Sequence, residues 1–136
     1  MHYPVVIHKD QHTDYGVTVP DLPGCFSAGS TLEEALENTK EAIECHLEGM
    51  LLDEEIIPSP RDLESHRKNK QWAKGVWALV QIDLSTLSGK SKRVNITLPE
   101  RLLLQVDSFA LQHGETRSGF LAQAALEYLD RHVNDA

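Results

Sequence analysis

Residues 92–98, KRVNITL, read as a β-strand, yet the chain supplies no second strand beside it. Consecutive strand residues alternate faces, so Val94, Ile96 and Leu98 point one way and Arg93, Asn95 and Thr97 the other. Pro99 and Glu100 stop the run and open a helix, in which Leu102, Leu103, Val106, Phe109 and Ala110 recur at three- and four-residue spacing until Gly114 ends it. Thr116 is a good N-cap for a second helix, RSGFLAQAALEYLDRH, whose apolar side is Phe120, Leu121, Ala124, Ala125, Tyr128 and Leu129. One strand and two helices in about 45 residues cannot close a core of their own. The economical solution is a second copy of the chain, its strand paired antiparallel with the first, so residues 92–136 are expected to form a β-α-α dimerisation domain.

The rest of the chain differs in charge. Residues 1–88 hold seven Lys or Arg against fifteen Asp or Glu, net −8, whereas residues 89–136 hold six of each. Between the two parts lies STLSGKS, residues 85–91, with the Ser/Gly-rich composition of a linker. The expected organisation is therefore a domain over residues 1–84, a linker over 85–91 and a second domain over 92–136. No apolar run approaches the roughly 20 residues of a membrane span, and MHYPVVIHKD lacks the features of a signal peptide, so a cytoplasmic protein is expected. Cys25 and Cys45, twenty positions apart and without a CxxC partner, read as buried free thiols.

Within the first domain, residues 3–9 and 15–20 read as a hairpin and 25–29 as a third strand, entered through the tight turn DLPG. From residue 31 the period becomes helical. Leu32, Ala35, Leu36, Thr39, Ile43, Leu47 and Met50 define an inward face to about residue 52, and Thr31 with Glu34 has capping-box spacing. Glu33, Glu37, Glu41, Glu44 and Glu48 make the opposite face a negative strip. The basic stretch RDLESHRKNKQW reads as a loop or short helical turn. Residues 76–84 return to strand chemistry, with Val76, Ala78, Val80, Ile82 and Leu84 on the helix-facing side. The sum is an α+β domain, a small sheet with one main helix.

No catalytic or metal-binding pattern stands out. Asp10, Asp14 and Asp83 lie near strand ends, where a two-metal nuclease would need converging carboxylates, but no spacing forces them together. The seven histidines include no HExxH and none beside a Cys pair, and the glycines form no phosphate loop, so neither catalysis nor a cofactor is expected.

The C-terminal pattern, a basic alternating strand ending at Pro-Glu and a Gly-x-Thr-x-Ser turn between two helices, resembles the ribbon-helix-helix DNA-binding domain of bacterial repressors over residues 92 to about 132. The resemblance implies that paired strands enter the major groove of double-stranded operator DNA, with Arg93, Asn95 and Thr97 at the base-reading positions. Their chemistry suits that role: Arg can donate two bonds to guanine, Asn can pair bidentately with adenine, and Thr can meet a base edge or a thymine methyl. It also implies a phosphate at the start of the second helix, near Thr116, Arg117 and Ser118, where free N–H groups suit an anion. Lys90 and Lys92 would add backbone attraction.

DLPGCFSAGSTLEEALENTKEAI, residues 21–43, followed by VWALVQIDLS, residues 76–85, is similar to the HicB family, antitoxins of HicAB toxin-antitoxin systems. That resemblance implies a partial, degenerate RNase H-like fold for the first domain, a small basic mRNA-cleaving HicA toxin as partner, and autorepression of the operon through the second domain. Toxin contacts are not assigned to individual residues. The expectation is an antitoxin that is a dimer or a larger even assembly such as a tetramer; the rival readings are a stand-alone or ligand-responsive repressor and a nuclease. Leu104 and Leu111, seven apart, are expected on a face that the dimer core does not use, free to dock on a neighbouring dimer or on the other domain.

Overall fold

The structure, a computed structural model, describes residues 1–87 and 92–133. It divides into two compact units, Met1–Ile82 and Asp83–Ala136. The division falls ahead of the expected linker: residues 84–86 form a 3-10 turn that packs on the last helix of the second unit, and residues 88–91 lie outside the described residues.

The first unit is a four-stranded antiparallel sheet in the order β3-β2-β1-β4, built from β1 (His2–His8), β2 (Tyr15–Thr18), β3 (Phe26–Gly29) and β4 (Val76–Gln81). Helix α1 (Leu32–Leu52) follows β3, and the short helix α2 (Leu63–Arg67) and a 3-10 turn at Lys70–Trp72 precede β4. Strand β1 is central and buried on both faces, which is why its sequence is a continuous apolar run and not an alternation. Pro4, which has no N–H to give, sits where β1 pairs with β4 through Leu79 and β2 does not reach.

Register fixes the two faces. Tyr3, Val5, Ile7, Val17, Val80 and Gly29 share the face that meets α1, because a side chain at Gly29 would point into the backbone of Ala35 at 2.4–2.7 Å. Pro4, Val6, His8 and Trp77 share the other face. The 62–75 segment covers it: Gly75 lies directly against Val6, and the His66 ring stacks on Trp77 with centroids 6.0 Å apart. Asp21, in the DLPG turn, fastens this segment by accepting from His66 Nε2 at 3.0 Å and from the Arg61 backbone N–H at 3.2 Å. Two details depart from expectation. Strand β4 ends at Gln81, short of Leu84, and Val76 at its start is exposed.

Helix α1 buries Ala35, Thr39, Ile43 and Leu47, as its periodicity predicts, while Leu32 is exposed. Thr31 Oγ1 accepts from the Glu34 N–H at 3.1 Å, but the Glu34 carboxylate accepts from Ser30 Oγ at 2.8 Å, so only half of the expected capping box forms. At the other end Glu55 N–H donates to the Met50 carbonyl and Glu54 adopts φ 58°. This is a Schellman turn whose left-handed position, usually glycine, is held by a glutamate. Asp53, Glu54 and Glu55 also crowd the negative end of the helix dipole, and no basic residue lies in the last turn.

The second unit holds α3 (Glu100–Gln112) and α4 (Arg117–Val133). Helix α3 ends in the same turn, this time with Gly114 at φ 66° and Glu115 N–H on the Ala110 carbonyl, as the sequence predicts. Phe109 and Phe120 meet edge to face at 5.4 Å between the helices.

Substituting the two unusual backbone positions should move stability in opposite directions. Gly29→Ala should cost about 1–3 kcal/mol, because Ala35 backbone occupies the space. Glu54→Gly should stabilise by about 1 kcal/mol by relieving the left-handed conformation. Urea unfolding of the full chain followed by circular dichroism measures both, and a stabilised Gly29→Ala protein would contradict the packing described.

Candidate nucleic-acid interface

Residues 92–98 hold no ladder partner and no regular secondary structure in the single chain. Val94 is 66 % exposed and Ile96 61 %, far too open for the apolar side of a finished strand. With Leu103, Arg117 and Leu121 the segment encloses a cleft of about 1160 Å³. Helix α4 shows the same incompleteness. None of its residues is buried, and Tyr128 and Leu129, assigned to a core by periodicity, are exposed along with Ala124 and Ala125. Among the described residues of this unit only Val106, Ala110 and Leu87 are buried apolar side chains.

The residues selected from the sequence do gather here. Lys92, Arg93, Asn95, Thr97, Arg117 and Ser118 all line the one cleft, and Thr116 adjoins it; Lys90 lies outside the described residues. Thr116 caps α4, its Oγ1 accepting from the Gly119 N–H at 2.9 Å. Arg117 is more committed than its sequence position suggests. Its Nε and one Nη donate to the two carboxylate oxygens of Asp107 at 2.8 Å each, a fork that ties α4 to α3. The hydrogen bond from Arg117 holds the Asp107 carboxyl below the usual carboxylate range.

Asp83 was missed as part of this site. Its carboxylate stands 3.5 Å from Thr116 Oγ1, and a Cβ added at Gly119 would lie 2.8 Å from its Oδ1. A fixed negative charge thus occupies the N-terminal end of α4, where the free N–H groups of the first turn favour an anion. The Asp83-x-Ser85 spacing carries the local signal, since Asp83 Oδ1 accepts from both the N–H and the hydroxyl of Ser85 at 3.0 and 2.7 Å.

In the first unit, Glu33, Glu37 and Glu41 are exposed along α1, whereas Glu44 and Glu48, the rest of the expected negative strip, are half-buried. Asp10 and Asp14 stay in or beside the exposed β1–β2 turn, and among the described residues no group of three or more His, Cys, Asp or Glu converges as a metal site would. Cys25 is buried, and burial, with a smaller contribution from Cys45, pushes its thiol up and away from reactivity. Cys45 is exposed on α1, contrary to the expectation that both thiols are buried, because it falls outside the Ala35–Thr39–Ile43–Leu47 stripe. Leu104 and Leu111 are 66 % and 84 % exposed on α3. No helix of the described residues is long and apolar enough to cross a membrane.

Comparison with known proteins agrees over nearly the whole chain. A 14.9 kDa protein of the rep-hol intergenic region of Haemophilus phage HP1 is 44 % identical over 131 residues, covering 95 % of this chain and 98 % of the phage protein. The crystal structure of the antitoxin HicB from Burkholderia pseudomallei is 43 % identical with a TM-score of 0.79, covering 95 % of this chain and 98 % of that one. The structure of a HicA3 and HicB3 toxin-antitoxin complex contains a chain 30 % identical with a TM-score of 0.54, covering 61 % of this chain and 99 % of that one. The profile of the HicB-like antitoxins of bacterial toxin-antitoxin systems matches residues 3–125, and the chain belongs to that family.

Proposed function

We propose that this antitoxin neutralises a HicA-type mRNA-cleaving toxin through its first unit and, as a dimer or larger even assembly, represses its own operon through the second. The observation that carries the second half is the unpaired 92–98 segment, with Val94 and Ile96 exposed over an open cleft. An antiparallel copy from a second chain would satisfy the backbone of both segments and, by settling each into a strand, separate the two rows that now line one cleft, burying Val94 and Ile96 and turning Arg93, Asn95 and Thr97 outward as a two-stranded ribbon, an element that fits the major groove. The first half is supported by family membership and by the toxin-antitoxin complex among the similar structures. The acid strip of α1, continued by Asp53, Glu54 and Glu55, suits a basic partner and would speed its encounter. Inhibition is by occlusion of the toxin surface. The partial, degenerate RNase H-like fold of the first unit is what the family resemblance implies, and no step of the function depends on it.

Toxin and DNA could influence one another only if toxin-bound and free states differ in the geometry or valency of the ribbon. The contact at Asp83 adds a local brake on DNA binding, since a phosphate arriving at the start of α4 must displace this carboxylate.

Four outcomes test the reading. Arg93→Ala with Asn95→Ala should abolish discrimination between operator and unrelated duplex, at about 1–3 kcal/mol per base-reading residue, in gel-shift titrations, while toxin co-purifies as before. Asp83→Asn should tighten duplex binding, operator and non-operator alike, when measured by fluorescence anisotropy; weaker binding would refute the brake. Co-expression with the small reading frame adjacent to the gene should relieve growth arrest, and charge reversal at Glu37 and Glu41 should slow toxin association with a weaker salt dependence. An adjacent frame that is harmless when expressed alone would favour a stand-alone repressor.

A further inference from the structure

The charge of the first unit is less uniform than its total suggests. Residues 61–75 carry five Lys or Arg against two Asp or Glu, so five of the seven cations of residues 1–82 fall within fifteen positions. Arg61, Arg67, Lys68, Lys70 and Lys74 are all exposed. The same segment walls a cavity of about 450 Å³ lined by Leu63, Arg67, Trp72, Ala73, Gly75 and Trp77. That volume falls within the roughly 300–1,000 Å³ of small-ligand clefts.

The indoles are held in place. Trp77 is fixed from β4, with the His66 ring stacked on it, and His66 is itself pinned by the buried carboxylate of Asp21. Trp72 leans on His8 at 6.2 Å. Arg67 pairs with Glu64 at 3.0 Å, but both side chains are more than half exposed, and such a pair contributes little and exchanges readily for another anion. Two indoles in the lining of an open cleft, an exchangeable guanidinium beside them and four further exposed cations on the same segment are residue types that can meet a base by stacking and its phosphate by charge.

We infer that this cleft binds single-stranded nucleic acid, one base against the indoles of Trp72 and Trp77 and the adjoining phosphate on Arg67. A duplex keeps its base faces stacked inside and cannot offer one to the cleft. An acidic peptide could meet the cations but has no planar face for the walls. The remainder of the unit is strongly acidic and repels a polyanion, so the attraction is confined to this segment and a bound strand should be short. The site lies in the first unit and does not rest on the proposed ribbon.

Both tryptophans of the chain line this cleft, so tryptophan emission reports on it alone. The experiment uses the full chain carrying Arg93→Ala and Asn95→Ala, which removes base reading by the second unit. It is titrated with RNA and DNA single strands of roughly ten nucleotides, with a duplex of the same sequence, and with oligoglutamate of equal charge. Either single strand should quench the emission saturably, with an affinity that falls with salt at a log–log slope of about −0.7 per phosphate engaged. Arg67→Glu should weaken it about tenfold with an unchanged circular dichroism spectrum. A stronger response to RNA would assign a contact to the 2′-hydroxyl, and an equal response would assign recognition to base and phosphate only. The inference is overturned if neither strand changes the emission, if duplex or oligoglutamate matches the single strands, or if Arg67→Glu and Lys70→Glu leave the response intact.

Discussion

The backbone of residues 92–98 has donors and acceptors that the single chain does not pair in a ladder, and the organisation of the second unit follows from that one deficit. Two helices alone bury almost nothing here: α4 contributes no buried residue and α3 only two. Each apolar side chain taken from water contributes about 1.5–3 kcal/mol when fully buried, so Val94, Ile96, Tyr128 and Leu129 hold a large unrealised stabilisation. The Asp107–Arg117 fork and the Phe109–Phe120 contact keep α3 and α4 in register while that surface is open. Proposed pairing with a second chain turns the same deficit into a DNA-reading ribbon, and dimerisation and recognition become one event.

The first unit is complete by contrast. Strand β1 is covered on both faces, by α1 on one and by the 62–75 segment on the other, and no buried side-chain polar atom among the described residues lacks a hydrogen-bond partner. Its surface carries the unresolved features instead. The glutamate strip ends in a left-handed Glu54 and three acids at the wrong end of a helix dipole, an arrangement that costs stability in the free protein and is relieved by a cation. A few residues further on, the basic 61–75 segment surrounds the tryptophan cleft. Opposite charges on one small domain would let the proposed toxin and the inferred single strand engage different residues.

The sequence made the elements legible because their periods are clean. The Ala35–Thr39–Ile43–Leu47 stripe, the Thr31 cap and the Gly114 stop all appear where spacing places them. The alternation in 92–98 was equally clear, but the segment holds no strand in the single chain, and its exposed apolar row is what the proposed pairing with a second chain would cover. What could not be read was tertiary placement. Val76 has the right parity for the core but lies exposed at the start of its strand, and Cys45 is an apolar-type residue on the wrong side of its helix. Asp83 resembled a strand-end carboxylate until folding set it over the start of α4, and Trp72 and Trp77 became one cleft only through the short helix and turn between α1 and β4. Arg117 shows the limit for single positions: its residue type suited a phosphate, while its fork to Asp107 depends on the angle between two helices.

Backbone amide hydrogen exchange at residues 93–98, followed over a range of protein concentrations, addresses the proposed pairing most directly. Interchain pairing requires these amides to be slow to exchange in concentrated protein and to lose that protection on dilution, together with the amides of α4 near Tyr128 and Leu129. Rapid exchange at every concentration, or protection that persists in a monomer, would show that the segment finds no partner strand or finds one within its own chain, and either result would contradict the account.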